Sequence, residues 1–152
     1  MIAYRISKYN PALRDASGAY TRPEWTSFSD IGRTFSGVTL TATEYRRMEA
    51  AYINAACAFL REAGVTVLKV LELENPQQTQ LEFAEGTVLS LEQAGPLIGR
   101  MLREEFWSLL AAQNASVHVG YDYLMSIRVP YPCPAAEKTA AELGLYVERF
   151  EV

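Results

Sequence analysis

The stretch 117–129 reads Val-His-Val-Gly-Tyr-Asp-Tyr-Leu-Met-Ser-Ile-Arg-Val, and its reading decides the fold. Val117, Val119, Tyr121, Tyr123, Met125, Ile127 and Val129 share one parity, while His118, Gly120, Asp122, Leu124, Ser126 and Arg128 share the other. Strict period-two alternation marks a strand with one buried face and one more polar face. At ~3.3 Å per residue a continuous strand of this length would reach roughly 40 Å, so the pattern predicts a bend with Gly120 as the bulge. Tyr121 and Tyr123, on the apolar parity, are expected in the core or at its margin, with their hydroxyls on polar partners. Pro130, Pro132 and Pro134 stop the strand.

Downstream, a short helix over 135–143 is expected to end at Gly144, followed by a last strand over 145–151. Upstream, Leu97, Met101, Leu102, Phe106, Leu109 and Leu110 lie on one helical stripe. With Ser90 and Gln93 at capping-box spacing, they predict a long helix over 90–113 that stops at Asn114. Pro96 must kink this helix or open a second segment. Residues 65–74 are apolar on both faces around Lys69 and read as a central strand, and 80–84 as a shorter partner. A further long helix starts at Thr41, whose hydroxyl sits at capping-box spacing from Glu44. It carries Tyr45, Met48, Tyr52, Ala55 and Phe59 on one face and ends at Gly64. Residues 2–8 alternate as the first strand, and a loop-rich segment runs from Asn10-Pro11 to about Leu40.

Both long helices are amphipathic, and one sheet face suffices to cover them. The expected fold is therefore a two-layer α+β domain spanning 1–152. It has a mostly antiparallel or mixed sheet of about five strands, two long helices on one face and one short helix.

Composition narrows the functions. With 49% hydrophobic and 21% charged residues, the chain is too apolar for disorder. Its net charge of −4 and only three lysines, Lys8, Lys69 and Lys138, lack the basic footprint of a nucleic-acid binder. An acidic surface suits solubility or a basic partner. The N-terminus lacks the apolar run of a signal peptide, and the longest helical apolar patch, 50–60, contains Asn54 and is too short for a bilayer. Cys57 and Cys133 have no disulfide-framework spacing. The simplest expectation is a cytoplasmic protein with free thiols.

A single histidine excludes a His-rich metal site, and no Cys-x-x-Cys, His-Glu-x-x-His or Gly-x-Ser-x-Gly spacing occurs. No metal or cofactor is expected. Cys133 with His118 is the one nucleophile–base pair to consider, since Pro134 as first helical residue would place Cys133 at a helix N-terminus that stabilises a thiolate. Glu104 and Glu105, neighbours in sequence, point in different directions and read as solvated helix charges. His118 and Asp122 stand roughly 13 Å apart along a strand, too far for a dyad.

Two clusters remain. In Glu24-Trp25-Thr26-Ser27-Phe28-Ser29-Asp30-Ile31-Gly32, aromatics alternate with cap-forming residues. Trp25 and Phe28 either anchor the loop while Ser29 or Asp30 caps a turn, or form part of a binding surface, because acids beside aromatics make good anchors. In 118–123, His118 and Asp122 face solvent or a partner.

Together with Tyr-Arg-Ile-Ser-Lys-Tyr-Asn-Pro (4–11) and Leu-Arg-Glu-Glu-Phe-Trp (102–107), these clusters run through nearly the whole chain. The combination resembles a group of small bacterial proteins, some of which look like immunity proteins of polymorphic-toxin or contact-dependent inhibition systems. The resemblance implies a non-catalytic protein that binds and neutralises a cognate toxin domain, without direct contact to nucleic acid or membrane. Glu24, Trp25, Asp30, Glu104, Glu105 and Asp122 are the expected contact residues. The alternatives are a small enzyme using Cys133 or a carboxylate with His118, and a self-assembling module pairing through a sheet edge.

Overall fold

The computed structural model describes residues 1–151. In chain order its strands are β1 (Ile2–Ser7), β2 (Thr34–Phe35), β3 (Val38–Thr39), β4 (Val67–Glu74), β5 (Val88–Ser90), β6 (Trp107–Ala111), β7 (Ser116–Val119), β8 (Met125–Val129) and β9 (Tyr146–Glu151). The helices are α1 (Ala42–Glu62), α2 (Leu91–Leu102) and α3 (Pro134–Glu142). Seven strands form one sheet in the order β5-β4-β6-β7-β8-β1-β9, with every pair antiparallel, and β2-β3 form a separate two-stranded hairpin. The α+β class is thus as expected, with more strands than the five anticipated.

The helices cover one face of the large sheet. Tyr4, Ile6, Leu68, Val70, Leu110, Val117 and Ile127 project into the core beneath Tyr52, Phe59 and Leu60 of α1 and Ile98 of α2, all essentially inaccessible to solvent. Each such aliphatic or aromatic side chain contributes about 2 kcal/mol on burial, which holds the layers together. The helices also pack on one another, α1 lying against both α2 and α3. Gly95 and Gly99 permit the α1–α2 approach: a Cβ at either would stand 3.2 Å from an Ile53 methyl.

Three expectations are corrected. Residues 117–129 are not one bent strand but two, β7 and β8, with Val119 opposite Met125 across a loop that begins at Gly120. A Cβ at Gly120 would come within 2.7 Å of the Leu124 carbonyl oxygen, so the close approach of the loop's two ends requires glycine. The helix over 90–113 stops at Leu102, and 107–111 is strand β6. The stop is a Schellman motif: Glu104 N–H bonds Met101 C=O (3.0 Å) and Glu105 N–H bonds Arg100 C=O (3.1 Å), with Glu104 at φ 63°. Beyond it Phe106, Ser108 and Leu110 face the core at period two. Pro96 sits on the exposed side of an unbroken α2. Finally, the partner of β4 is 88–90 and not 80–84, and β4 lies second from the sheet edge with one face uncovered.

The caps follow the sequence. Ser90 and Gln93 form a full capping box, whereas Thr41 accepts from Glu44 N–H but the Glu44 carboxylate turns to Arg47.

Candidate functional site

The β7–β8 loop, the loop over 22–30 and the α2–β6 connection meet at one end of the sheet. The β7–β8 loop carries Asp122 (φ 58°) and Tyr123 (φ 65°) in left-handed conformation. Tyrosine hydroxyls from three directions fix it. Tyr9 donates to the Asp122 carbonyl (2.7 Å), Tyr52 donates to the Tyr123 carbonyl (2.7 Å), and the buried Tyr123 donates to the Leu102 carbonyl (2.8 Å). Tyr52 also accepts from Lys8 N–H (2.8 Å). Burial pushes the Tyr9, Tyr45, Tyr52 and Tyr123 phenols well above their ordinary range. They act here as neutral hydrogen-bonding pegs.

Held this way, the turn throws Tyr121 outward. Its side chain is 79% exposed, 6.2 Å from the Trp107 ring, which corrects the expectation that it lies at the core. Glu104 and Asp122 flank it, both exposed and, among the described residues, without an ion-pair partner.

The other expected contact residues are committed internally. Trp25 packs edge-on against Tyr45 (5.7 Å) and Tyr123 (5.0 Å), and Phe28 against Tyr45 (5.0 Å), so both anchor the loop. Asp30, buried, accepts from Thr26 N–H (3.0 Å) and faces Arg33 (3.5 Å), while Ser27 caps the turn over Phe28–Asp30. Glu105 is held by both Arg100 (3.1 Å) and Arg103 (3.2 Å), and Arg103 in turn bonds Glu49 (2.7 Å). Glu24 faces Lys8 Nζ at 3.7 Å.

Lys8 is the charged residue that sequence reasoning passed over. Its ammonium lies 4.2 Å from the ring centres of both Tyr9 and Trp25, its side chain is 2% exposed, and among the described residues it has no hydrogen-bond acceptor. Burial pulls its pKa down to about 8, against the upward pull of Glu24 and Asp30. The signal available in sequence was the run Ser7-Lys8-Tyr9, a lysine leaving a strand next to an aromatic. Beside this sandwich, Tyr9, Tyr20, Glu24, Thr26 and Asp122 line a pocket of about 150 Å³.

The Cys133–His118 pair is not assembled. His118 is exposed on the uncovered face of β7, whereas Cys133 is buried at the start of α3 on the helix side. Cys133 does precede Pro134 at the helix N-terminus, but burial near Glu62 and Glu137 pushes its thiol up to about 11, opposite to activation. Among the described residues, no three His, Cys, Asp or Glu side chains gather as metal ligands, and no helix is long and apolar enough to cross a membrane.

No family model, curated protein or solved structure matches this chain.

Proposed function

We propose that this chain is a non-catalytic immunity protein that binds a cognate bacterial toxin domain and neutralises it in the cytoplasm. The observation that carries the reading is the hairpin tip. An exposed Tyr121 stands between two carboxylates that have no internal counter-charge, on a turn pinned by buried tyrosines. A rigid aromatic anchor loses little side-chain entropy on binding, and the flanking acids steer a basic partner. Many toxin domains that attack nucleic acid carry basic clefts, and the chain's own net charge of −4 adds to the attraction for such a partner. The sequence resemblance to immunity proteins supports the same role.

The test is co-expression with the C-terminal domain encoded by the neighbouring open reading frame. Rescue of growth and co-purification are expected, and absence of both overturns the proposal. In the purified pair, Tyr121→Ala and Glu104→Lys/Asp122→Lys should each weaken binding about tenfold or more, the loss typical of an interface hot spot.

A further inference from the structure

The helices leave the opposite face of the seven-stranded sheet uncovered. Register places its side chains in cross-strand rows. One runs from Lys69 through Ala111, Ser116 and Arg128 to Ala3, and the next from Leu71 through Leu109, His118 and Ser126 to Arg5. On a chain of net charge −4, these rows carry three cations, Lys69, Arg128 and Arg5, and the acids on the same face lie at its margins, Glu74 opposite Trp107 and Glu148 opposite Arg5. Glu148 is bonded to Arg14. Between these charges the face exposes apolar side chains. Val67 is 53% and Val88 59% exposed, and Phe150 lies under the Arg5 guanidinium at 5.7 Å.

We propose that this face is the second half of the partner's footprint, docking an apolar protein surface fringed with carboxylates against Arg5, Lys69 and Arg128. The inference rests on the immunity reading and adds the chemistry of the partner.

Three observations select this occupant. The face measures about 29 Å across seven strands and ~17 Å along them, roughly 500 Å², short of the ~800 Å² each partner gives to a stable interface. The hairpin tip makes up the shortfall, and the Tyr121–Trp107 contact joins it to the face without a break. A second copy stacked face to face would bring one positively charged patch against another, because a two-fold contact repeats one patch on both sides. Nucleic acid fits poorly, because around Lys69 the face presents aliphatic Val67, Leu71, Val88 and Leu109 rather than the aromatic platforms on which successive bases stack. An acid-fringed apolar protein surface satisfies both the side chains and the charges, and the opposite sign at the hairpin tip fixes its orientation.

The test is titration calorimetry of the same neighbouring toxin domain into the wild type and into Lys69→Glu/Arg128→Glu, at 50 and 300 mM NaCl. Both side chains are exposed and without ion-pair partners among the described residues, and unchanged circular dichroism and Tm will establish that the variant folds. The expected result is at least tenfold weaker binding by the variant at 50 mM NaCl, with a smaller gap at 300 mM because salt screens exposed pairs. Equal affinity of the two proteins overturns this inference and leaves the immunity reading standing. No binding by the wild type overturns both. A dT20 oligonucleotide, or a dimer seen by light scattering, that is lost in the variant overturns it in favour of nucleic acid or of a second copy.

Discussion

Replacing Lys8 with methionine should stabilise the protein at neutral pH, and the advantage should shrink as the solution becomes alkaline. In the folded chain the amine is sealed between the Tyr9 and Trp25 rings, and burial lowers its pKa from 10.5 to about 8. Below pH 8 the amine is protonated in both states, and the folded state bears the full cost of the buried charge. Between pH 8 and 10.5 the unfolded chain alone retains the proton, so the cost declines; above 10.5 both states are neutral and it vanishes. A shift of this size corresponds to about 3 kcal/mol at pH 7. Part of that cost is returned in the wild type by the two ring faces, each ~1 kcal/mol, and methionine keeps a fraction through sulfur–aromatic contact. Glu24, left without its cation, is 29% exposed and can hydrate. The net expectation at pH 7 is a gain of ~1–2 kcal/mol for Lys8→Met. Its pH dependence is the sharper signature: the difference between the two proteins should move by about 2 kcal/mol between pH 7 and 9.5. Cys57, Cys133 and the buried tyrosines, all raised, titrate alike in both proteins and cancel in the difference. Urea unfolding in reducing buffer, followed by circular dichroism at half-unit pH intervals, measures it. A difference that stays constant over that range would refute the reasoning.

Gly120→Ala should cost about 2 kcal/mol, because its methyl meets the Leu124 carbonyl at 2.7 Å in a loop whose ends are bonded together. An unchanged Tm would show that the turn relaxes freely. Cys133 is fully buried and its thiol is raised to about 11. A disulfide reagent at pH 8 should therefore label it only as the chain unfolds, and Cys133→Ala should neutralise toxin as well as the wild type. Fast labelling in the native state, or loss of neutralisation without loss of Tm, would revive a role for the thiol.

Period-two patterning carried the sheet residues of 117–129 but not their connectivity, and the reason is geometric. Val119 pairs with Met125 across the loop, so residues of equal parity stay on the same face in β7 and β8. A hairpin of this register has the same alternation as a single strand, and only turn chemistry separates them. Asp122 is tolerant of left-handed backbone, but Tyr123 is not, and it stays there because its ring and hydroxyl are captured inside. The end of α2 was hidden for a related reason. Its left-handed position holds Glu104 where glycine is usual, and Phe106 and Leu110 satisfy helical spacing as well as they satisfy a strand. At Gly64, where α1 ends with the favoured residue, the boundary was legible.

The candidate contacts show why acidity in a sequence is a poor guide to acidity at a surface. Of Glu24, Asp30, Glu104, Glu105 and Asp122, three face cations: Glu24 faces Lys8 from 16 positions earlier, Asp30 faces Arg33 three positions on, and Glu105 faces the pair Arg100 and Arg103. The Glu24–Lys8 pair depends on tertiary folding. The other two are close in sequence and are made by the turn over Phe28–Asp30 and by the end of α2 at Leu102, which the helical reading of 90–113 did not contain. What the fold leaves free is smaller and has two signs. A carboxylate pair sits at the hairpin tip, and three cations sit on the open sheet, a placement that follows from strand register alone. One partner that engages both must itself be charged in opposite senses at two places about a strand's length apart. Reversing Lys69 and Arg128 should therefore weaken binding independently of reversing Glu104 and Asp122. The two losses should add, within about 0.5 kcal/mol, because the sites share no side-chain partner.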